Sequence, residues 1–357
     1  MEYQETGYVV YSSTYFLTPQ RTPFKKEPGA VSGRILRGVL DFGGDSSNAI
    51  PFLWQHGARK LYLDLNRNQD LTDDPSSVFV ADAATPLSSQ TFHNVHLSFN
   101  TAYGSCQVLA DLCLMQSGSQ WYSTLAVHSF RQGKLMLQGR EWQVGLVGDA
   151  FSRANTRLLL RPWEKRNEPF NANDGLLATV PFEQRLFVDG HAFKMEQIVG
   201  PQDGEARPAL QFTEQPVTLG ELKITGQFIR RIVLQGGSYM AVLDQPSGVV
   251  KIPAGNYSQA DISLEQGGTS AFLGSGQPPP GGQISINDKI PAVLKTGGPL
   301  TNTVNASRHG EDLLLDYRLV GVGGETYQLA GQNRTKPPSY AVYRGTRKMA
   351  SGDFEFG

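Results

Sequence analysis

KLYLDLNRNQDLTDDP, residues 60–75, changes character halfway along. In its first half Leu61, Leu63 and Leu65 alternate with Lys60, Tyr62 and Asp64. Successive side chains of an extended strand point to opposite faces, so a period of two marks a strand with one buried face. In its second half the alternation gives way to a run of oxygen-bearing side chains, as in a loop. A strand running into a polar loop is the pattern that recurs along the chain.

Working outward, EDLLLDYRL (311–319) puts Leu313, Leu315, Tyr317 and Leu319 on one face and Asp312, Asp316 and Arg318 on the other. RLFVDGHAFKM (185–195) sets Asp189-Gly190 between two apolar-rich runs, a two-residue hairpin signal. Gln138-Gly139-Arg140 plays a similar part in LMLQGREWQVGLV (135–147). In KIPAGNYSQADISLE (251–265), Pro253-Ala254-Gly255 lies between strands, and Ile262 and Leu264 point inward. No long stretch holds a 3.6-residue period, and the helix-like pieces are short, such as 152–157. The 39 glycines and 21 prolines are spread without a repeat, as befits many short strands joined by tight turns. The expected fold is all-β. An antiparallel sandwich or barrel-like N-terminal domain precedes one or two Ig-like β-sandwich modules.

A chain of 357 residues is too long for one ordinary core, so two or three domains are expected. Breaks are placed near Gln215-Pro216, after the polar stretch GPQDGEARP, and near Gly297-Gly298-Pro299. The domains are then 1–215, with the loop at 64–74, then 216–296 and 297–357, the last free to merge with the second. GSGQPPPGG (274–282) reads as a surface loop inside one domain.

Composition excludes several classes. The net charge is −1, with 32 basic and 33 acidic residues interleaved, so no basic stripe tracks a nucleic-acid backbone. No run approaches the roughly 18 apolar residues of a membrane helix. The opening MEYQETGYVVYSSTYF lacks the basic and apolar regions of a signal peptide, so the chain is either cytoplasmic or begins after a removed export signal. Cys106 and Cys113 lie on one strand-like run, about 23 Å apart if extended, and cannot form a disulfide. They read as small core residues.

DLNRNQDLTDDP is the one stretch whose spacing carries chemistry. Side-chain oxygens fall at Asp64, Asn66, Asn68 and Asp70, followed by Asp73 and Asp74. Ca²⁺ takes about six to eight oxygens at roughly 2.3–2.6 Å, and ligands at every second residue of a tight loop can wrap around it. The loop departs from the EF-hand at its sixth position, Gln69 for Gly, and at its twelfth, Pro75 for Glu, so Asp73 or Asp74 must close the shell. The competing reading is a turn in which Asp and Asn cap their own backbone.

Other candidates are thinner. His93 and His96, in HNVH, fall on opposite faces of a regular strand and form no metal pair there. No HExxH, P-loop, GxSxG or CxxC is present. Trp54, Trp121, Trp142 and Trp163 could form a sugar platform, but burial in sandwich cores explains most of them.

Three blocks carry a resemblance. DLNRNQDLTDD resembles the D-x-N-x-[ND]-G-D-L-T-D-[DE] loop of a group of uncharacterised bacterial proteins, mostly exported and β-rich. VVKIPAGNY is similar to the PAGxY turn of carboxypeptidase-regulatory-like and other Ig-like modules. YRLVGVGGETY together with PSYAVYRGTRKMASGDFEFG resembles the closing strands of such exported proteins. The resemblance implies a periplasmic or extracellular location and a calcium-loop module, with no catalytic residues to carry over. The expected function is therefore non-enzymatic: a modular binding or scaffold protein of the cell envelope, with a structural Ca²⁺ loop and an unknown protein or polysaccharide partner. The rival is a carbohydrate-active or other hydrolase, with two carboxylates facing a cleft as acid and base.

Overall fold

The computed structural model describes residues 2–7, 9–17, 24–29, 33–41, 46–73, 75–83, 88–101, 104–147, 157–167, 178–181, 184–202, 205–310, 312–329 and 337–354. The protein is all-β. Among the described residues the only helical pieces are three single 3₁₀ turns, Ser46–Asn48, Pro75–Ser77 and Trp163–Lys165. Of the helix-like piece at 152–157, residues 152–156 lie outside the described residues, and Arg157 begins the strand Arg157–Pro162. Among the described residues no helix is long and apolar enough to cross a membrane.

Contacts divide the chain into two units, residues 1–170, 179–183 and 195–211 in the first, and 171–178, 184–194 and 212–357 in the second. The expected break at Gln215-Pro216 thus falls shortly after the last segment of the second unit begins.

In the first unit, one four-stranded sheet runs in the order Tyr11–Leu17, Gln120–Val127, Gly104–Ser117, Ser89–Thr101. A second runs Ile35–Leu40, Ile50–Gln55, Lys60–Leu63, Val78–Val80. Trp54 joins them: its indole N–H donates to Gln90 Oε1 at 2.8 Å, and both residues are buried. A five-stranded sheet includes the hairpin Ser129–Leu137 with Arg140–Val147, turned at Gln138-Gly139 with both φ positive. Trp54 and Trp142 are buried, while Trp121 and Trp163 are half-buried. Cys106 is buried, Cys113 half-buried, and neither is in a disulfide.

The second unit is built on a sandwich. Arg185–Val188, Tyr239–Asp244, Ile229–Gly236, Gly255–Gln266, Thr269–Gln277, Thr326–Leu329, Asp312–Val320 and Thr301–His309 neighbour one another in that order. A three-stranded sheet of Gly248–Pro253, Leu219–Thr225 and Ala292–Lys295 shares its core. Leu222, Ile224, Ile252 and Leu294 of the small sheet and Ile232, Leu234, Ile262, Leu264 and Leu273 of the large one form a single buried cluster. Asp189-Gly190 makes the expected two-residue turn, with φ of 50° and 85° and Val188 opposite His191.

Pro253-Ala254-Gly255 lies between strands as expected, the strand before it in the small sheet and the strand after it in the large one. Two local expectations are altered. The alternation in 311–319 survives only partly, since Leu315, Tyr317 and Leu319 are half-buried but Leu313 is 49% exposed. The first residues of 274–282 are strand, because Thr269–Gln277 continues to Gln277. Among the strands of the described residues, two pairings are parallel, Arg185–Val188 with Tyr239–Asp244 and Leu219–Thr225 with Ala292–Lys295. Parallel neighbours are joined by long crossovers, which strand periodicity does not reveal.

Candidate cation site

Leu61 and Leu63 are fully buried, so the strand Lys60–Leu63 delivers the loop at 64–73 onto a fixed base. Asp64, on the polar side of the alternation, is fully buried as well. Its carboxylate turns back on the loop, where Oδ1 accepts the Asn68 N–H at 3.1 Å and Oδ2 the Gln69 N–H at 2.9 Å. Hydrogen bonds from two backbone N–H groups satisfy an anion that burial would otherwise penalise.

The same device repeats along the loop. Asn66 Oδ1 accepts the Asn68 N–H at 3.0 Å, Asn68 Oδ1 the Asp70 N–H at 2.7 Å, and Asp70 Oδ1 the Thr72 N–H at 2.9 Å. This ladder of Asx turns needs positive φ at two residues, 60° at Arg67 and 67° at Gln69. Gln69 occupies the position where an EF-hand loop has glycine, and it adopts the conformation for which glycine is used.

Asp73 closes the loop. The Asn66 amide donates to its Oδ1 at 3.4 Å, and the Asn68 amide to its Oδ2 at 2.6 Å. Asp64, Asn66, Asn68 and Asp73 are thus brought together, while Asp70 faces another way. Asp70 Oδ1 also accepts the Thr72 hydroxyl at 2.5 Å, and Oδ2 pairs with Lys26 Nζ at 2.9 Å. The Thr72 hydroxyl, the Lys26 ammonium and the Thr72 N–H hold the Asp70 carboxyl down at about 2. Asp74 lies outside the described residues. Among the described residues no three His, Cys, Asp or Glu side chains are grouped so as to hold a metal ion.

Sequence reasoning missed the cations around this loop. Lys25 Nζ donates to the Asn68 carbonyl at 3.1 Å, and Arg67 donates to the Ser98 carbonyl at 2.8 Å, tying the loop to the strand Ser89–Thr101. Arg67 was legible as a charge inside the motif. The two lysines lie some forty residues upstream, with nothing in their spacing to link them to it.

A second polar cluster was also missed. The strand Ser89–Thr101 carries a bulge between Phe92 and Val95, with Asn94 at φ 57°. The extra residue lets Phe92 and Val95 both point inward, so His93 and His96 are both exposed instead of falling on opposite faces. Asp111 secures the bulge: Oδ1 accepts the Asn94 N–H at 3.1 Å, and Oδ2 lies 2.9 Å from His93 Nδ1 and 3.2 Å from His128 Nε2. Burial pushes the Asp111 carboxyl up, but hydrogen bonds from His93 and the Asn94 N–H, with the charges of His93 and His128, hold it below its ordinary value.

In the second unit a cavity of about 230 Å³ is lined by Gly236, Gly237, Ser238, Tyr239 and residues 254–257, none of them a carboxylate. No protein-family model, curated protein or solved structure matches this chain.

Proposed function

We propose that the chain is a non-enzymatic, exported or envelope-associated binding or scaffold protein, and that residues 64–74 form a structural Ca²⁺ site within it. The single observation that carries the cation reading is the oxygen ladder. Asp64, Asn66 and Asn68 hold the loop curled through their own backbone bonds, with Gln69 in the left-handed conformation of the EF-hand turn. Oxygen ligands on a loop already curled need little ordering when a hard cation arrives. In that state Asp73 would exchange its two asparagine amides for the ion, and the asparagine oxygens would turn inward. The envelope location, the Ig-like character of the second unit and a protein or polysaccharide partner are supported by the three resembling blocks. Sandwich packing of the second unit supports the Ig-like part of that reading.

The test is thermal unfolding in excess chelator and in millimolar Ca²⁺, with titration calorimetry alongside. Sites of extracellular modules bind at about 10⁻⁴–10⁻³ M, which in millimolar calcium contributes on the order of 1–2 kcal/mol. A rise of a few degrees in Tm is expected. Asp64→Ala removes the first ligand and should abolish the rise. Wild-type protein with neither heat of binding nor a Tm shift would make the loop an Asx-rich turn and nothing more.

A further inference from the structure

Thr301–His309 is the last strand of the large sheet, and among the described strands it is hydrogen-bonded to Asp312–Val320 alone. Thr326–Leu329 pairs with the far side of Asp312–Val320 only at Leu319 and Val320. Residues 303–309 and 312–318 therefore form a two-stranded ribbon that extends past the last three-stranded row. Directly opposed residues share a face. Val304, Ala306, Leu313, Leu315 and Tyr317 accordingly line one side, and the other is polar apart from Leu314. Phe354 lies over Tyr317 with ring centres 5.3 Å apart, while Val304 and Leu313 are about half exposed. A lone two-stranded ribbon is marginally stable in water, and its bare edge presents unpaired N–H and C=O groups to any other strand. Edges are commonly blunted by lysine, proline or a bulge, and TNTVNASRH (301–309) has none of them.

We propose that Thr301–His309 pairs antiparallel with the same strand of a second copy of this chain, about a two-fold axis at Asn305. What selects a second copy is the way the strand matches itself. With Asn305 opposite Asn305, all 9 residues find a partner: Val304 meets Ala306, Thr303 meets Ser307, Asn302 meets Arg308 and Thr301 meets His309. No like charges are opposed, and Arg308, the strand's one permanent charge, meets an amide. The register also keeps even-numbered residues opposite even-numbered ones, so the apolar sides of the two ribbons become one face of a continuous sheet. Each copy uses its edge once, so association closes at a dimer.

The experiment is sedimentation velocity on the full chain, with disulfide trapping alongside. Wild type should pass reversibly from monomer to dimer between about 1 and 200 µM, as befits an interface at the small end of the usual range. Asn305→Lys sets two ammonium groups against each other at the axis and should weaken the dimer roughly tenfold or more. Asn305 is exposed, so the Tm of that variant at about 1 µM should stay within roughly two degrees of wild type. Asn305→Cys should cross-link under mild oxidation, because opposed residues of an antiparallel pair lie about 4.5–5.5 Å apart, within disulfide reach. Asp316→Cys, opposite Asn305 on the inner strand of the ribbon, would lie about 14 Å from its mate and should not cross-link. Cys106 and Cys113 are present in every sample, so oxidised wild type sets the background. Should Asn305→Lys perturb folding, the two cysteine variants decide alone. Wild type that stays monomeric throughout, a dimer indifferent to a folded Asn305→Lys, or equal cross-linking of the two cysteine variants would overturn the proposal.

Discussion

The Tyr327 hydroxyl donates to Glu325 Oε1 at 2.8 Å in the buried interior of the second unit. The same oxygen accepts the Thr296 hydroxyl at 2.9 Å and the Gly297 N–H at 2.8 Å, while Oε2 is buried without a hydrogen-bond partner. The chain around it, GVGGETY, is drawn tight: a Cβ on Gly323 would lie 2.1 Å from the Lys295 carbonyl. Glu325→Ala would remove the acceptor that these three donors share, at a cost of about 1–3 kcal/mol, since the Thr296 hydroxyl and the Gly297 N–H still reach the Tyr327 oxygen at 2.9 and 3.0 Å. Glu325→Gln keeps an acceptor oxygen and should cost less. Urea unfolding of the two variants against wild type checks the order, and an unchanged midpoint for Glu325→Ala would mean that the network adds nothing.

Two buried tyrosines make the second unit sensitive to alkali. Burial raises Tyr257 and Tyr327 above the ordinary 10.0, and the charge of Glu325 adds to the effect at Tyr327. Both remain neutral in the fold where the unfolded chain, with tyrosines near about 10, already ionises. Stability is therefore full below about pH 10 and declines as pH rises beyond it. Urea midpoints from pH 8 to 11 should fall, with tyrosinate absorbance appearing as the protein unfolds. Tyr257→Phe, which loses the bond to the Pro253 carbonyl, should flatten the slope.

Asp111 should matter at neutral pH and less in acid. Its lowered pKa means that the stabilisation is present above the ordinary 3.8 and is lost as pH falls through the folded value. Asp111→Ala should cost about 1–2 kcal/mol at pH 7, through the bond to Asn94 N–H and the partly exposed pair with His93. The difference from wild type should narrow in denaturant titrations carried below pH 4. A gap of the same size at pH 2.5 would show that packing, not charge, is what Asp111 contributes.

Gln69 holds a φ of 67°, in the left-handed region that disfavours side chains. Gln69→Gly should raise stability by about 0.5–1 kcal/mol in chelator, because glycine relieves the conformation while its N–H still reaches Asp64. A lower midpoint would mean that the Gln69 side chain stabilises the loop by more than its backbone strain costs.

Some of this protein is local and was legible residue by residue. Leu61 and Leu63 alternate in sequence and are buried, and Asp189-Gly190 turns where two strands end. Ile262 and Leu264 face the core as their spacing requires. The Asx ladder from Asp64 to Thr72 likewise joins neighbours at most five residues apart. Such features depend on the period of a strand and on the few backbone angles a short turn permits, which adjacent residues already carry.

Tertiary structure decided the rest. Nothing in VVKIPAGNY says that its two strands belong to different sheets, and nothing in EDLLLDYRL says that Leu313 is left exposed. The bulge at Asn94 turns His93 and His96 outward together because Asp111, on the neighbouring strand, accepts the Asn94 N–H. Lys26 reaches Asp70 across a long separation in sequence, and Glu325 gathers Thr296, Gly297 and Tyr327. Which strand covers which face, and which charge meets which, depends on pairings between distant segments. Those pairings follow from burying every apolar face at once, a condition on the whole chain that no single stretch of it contains.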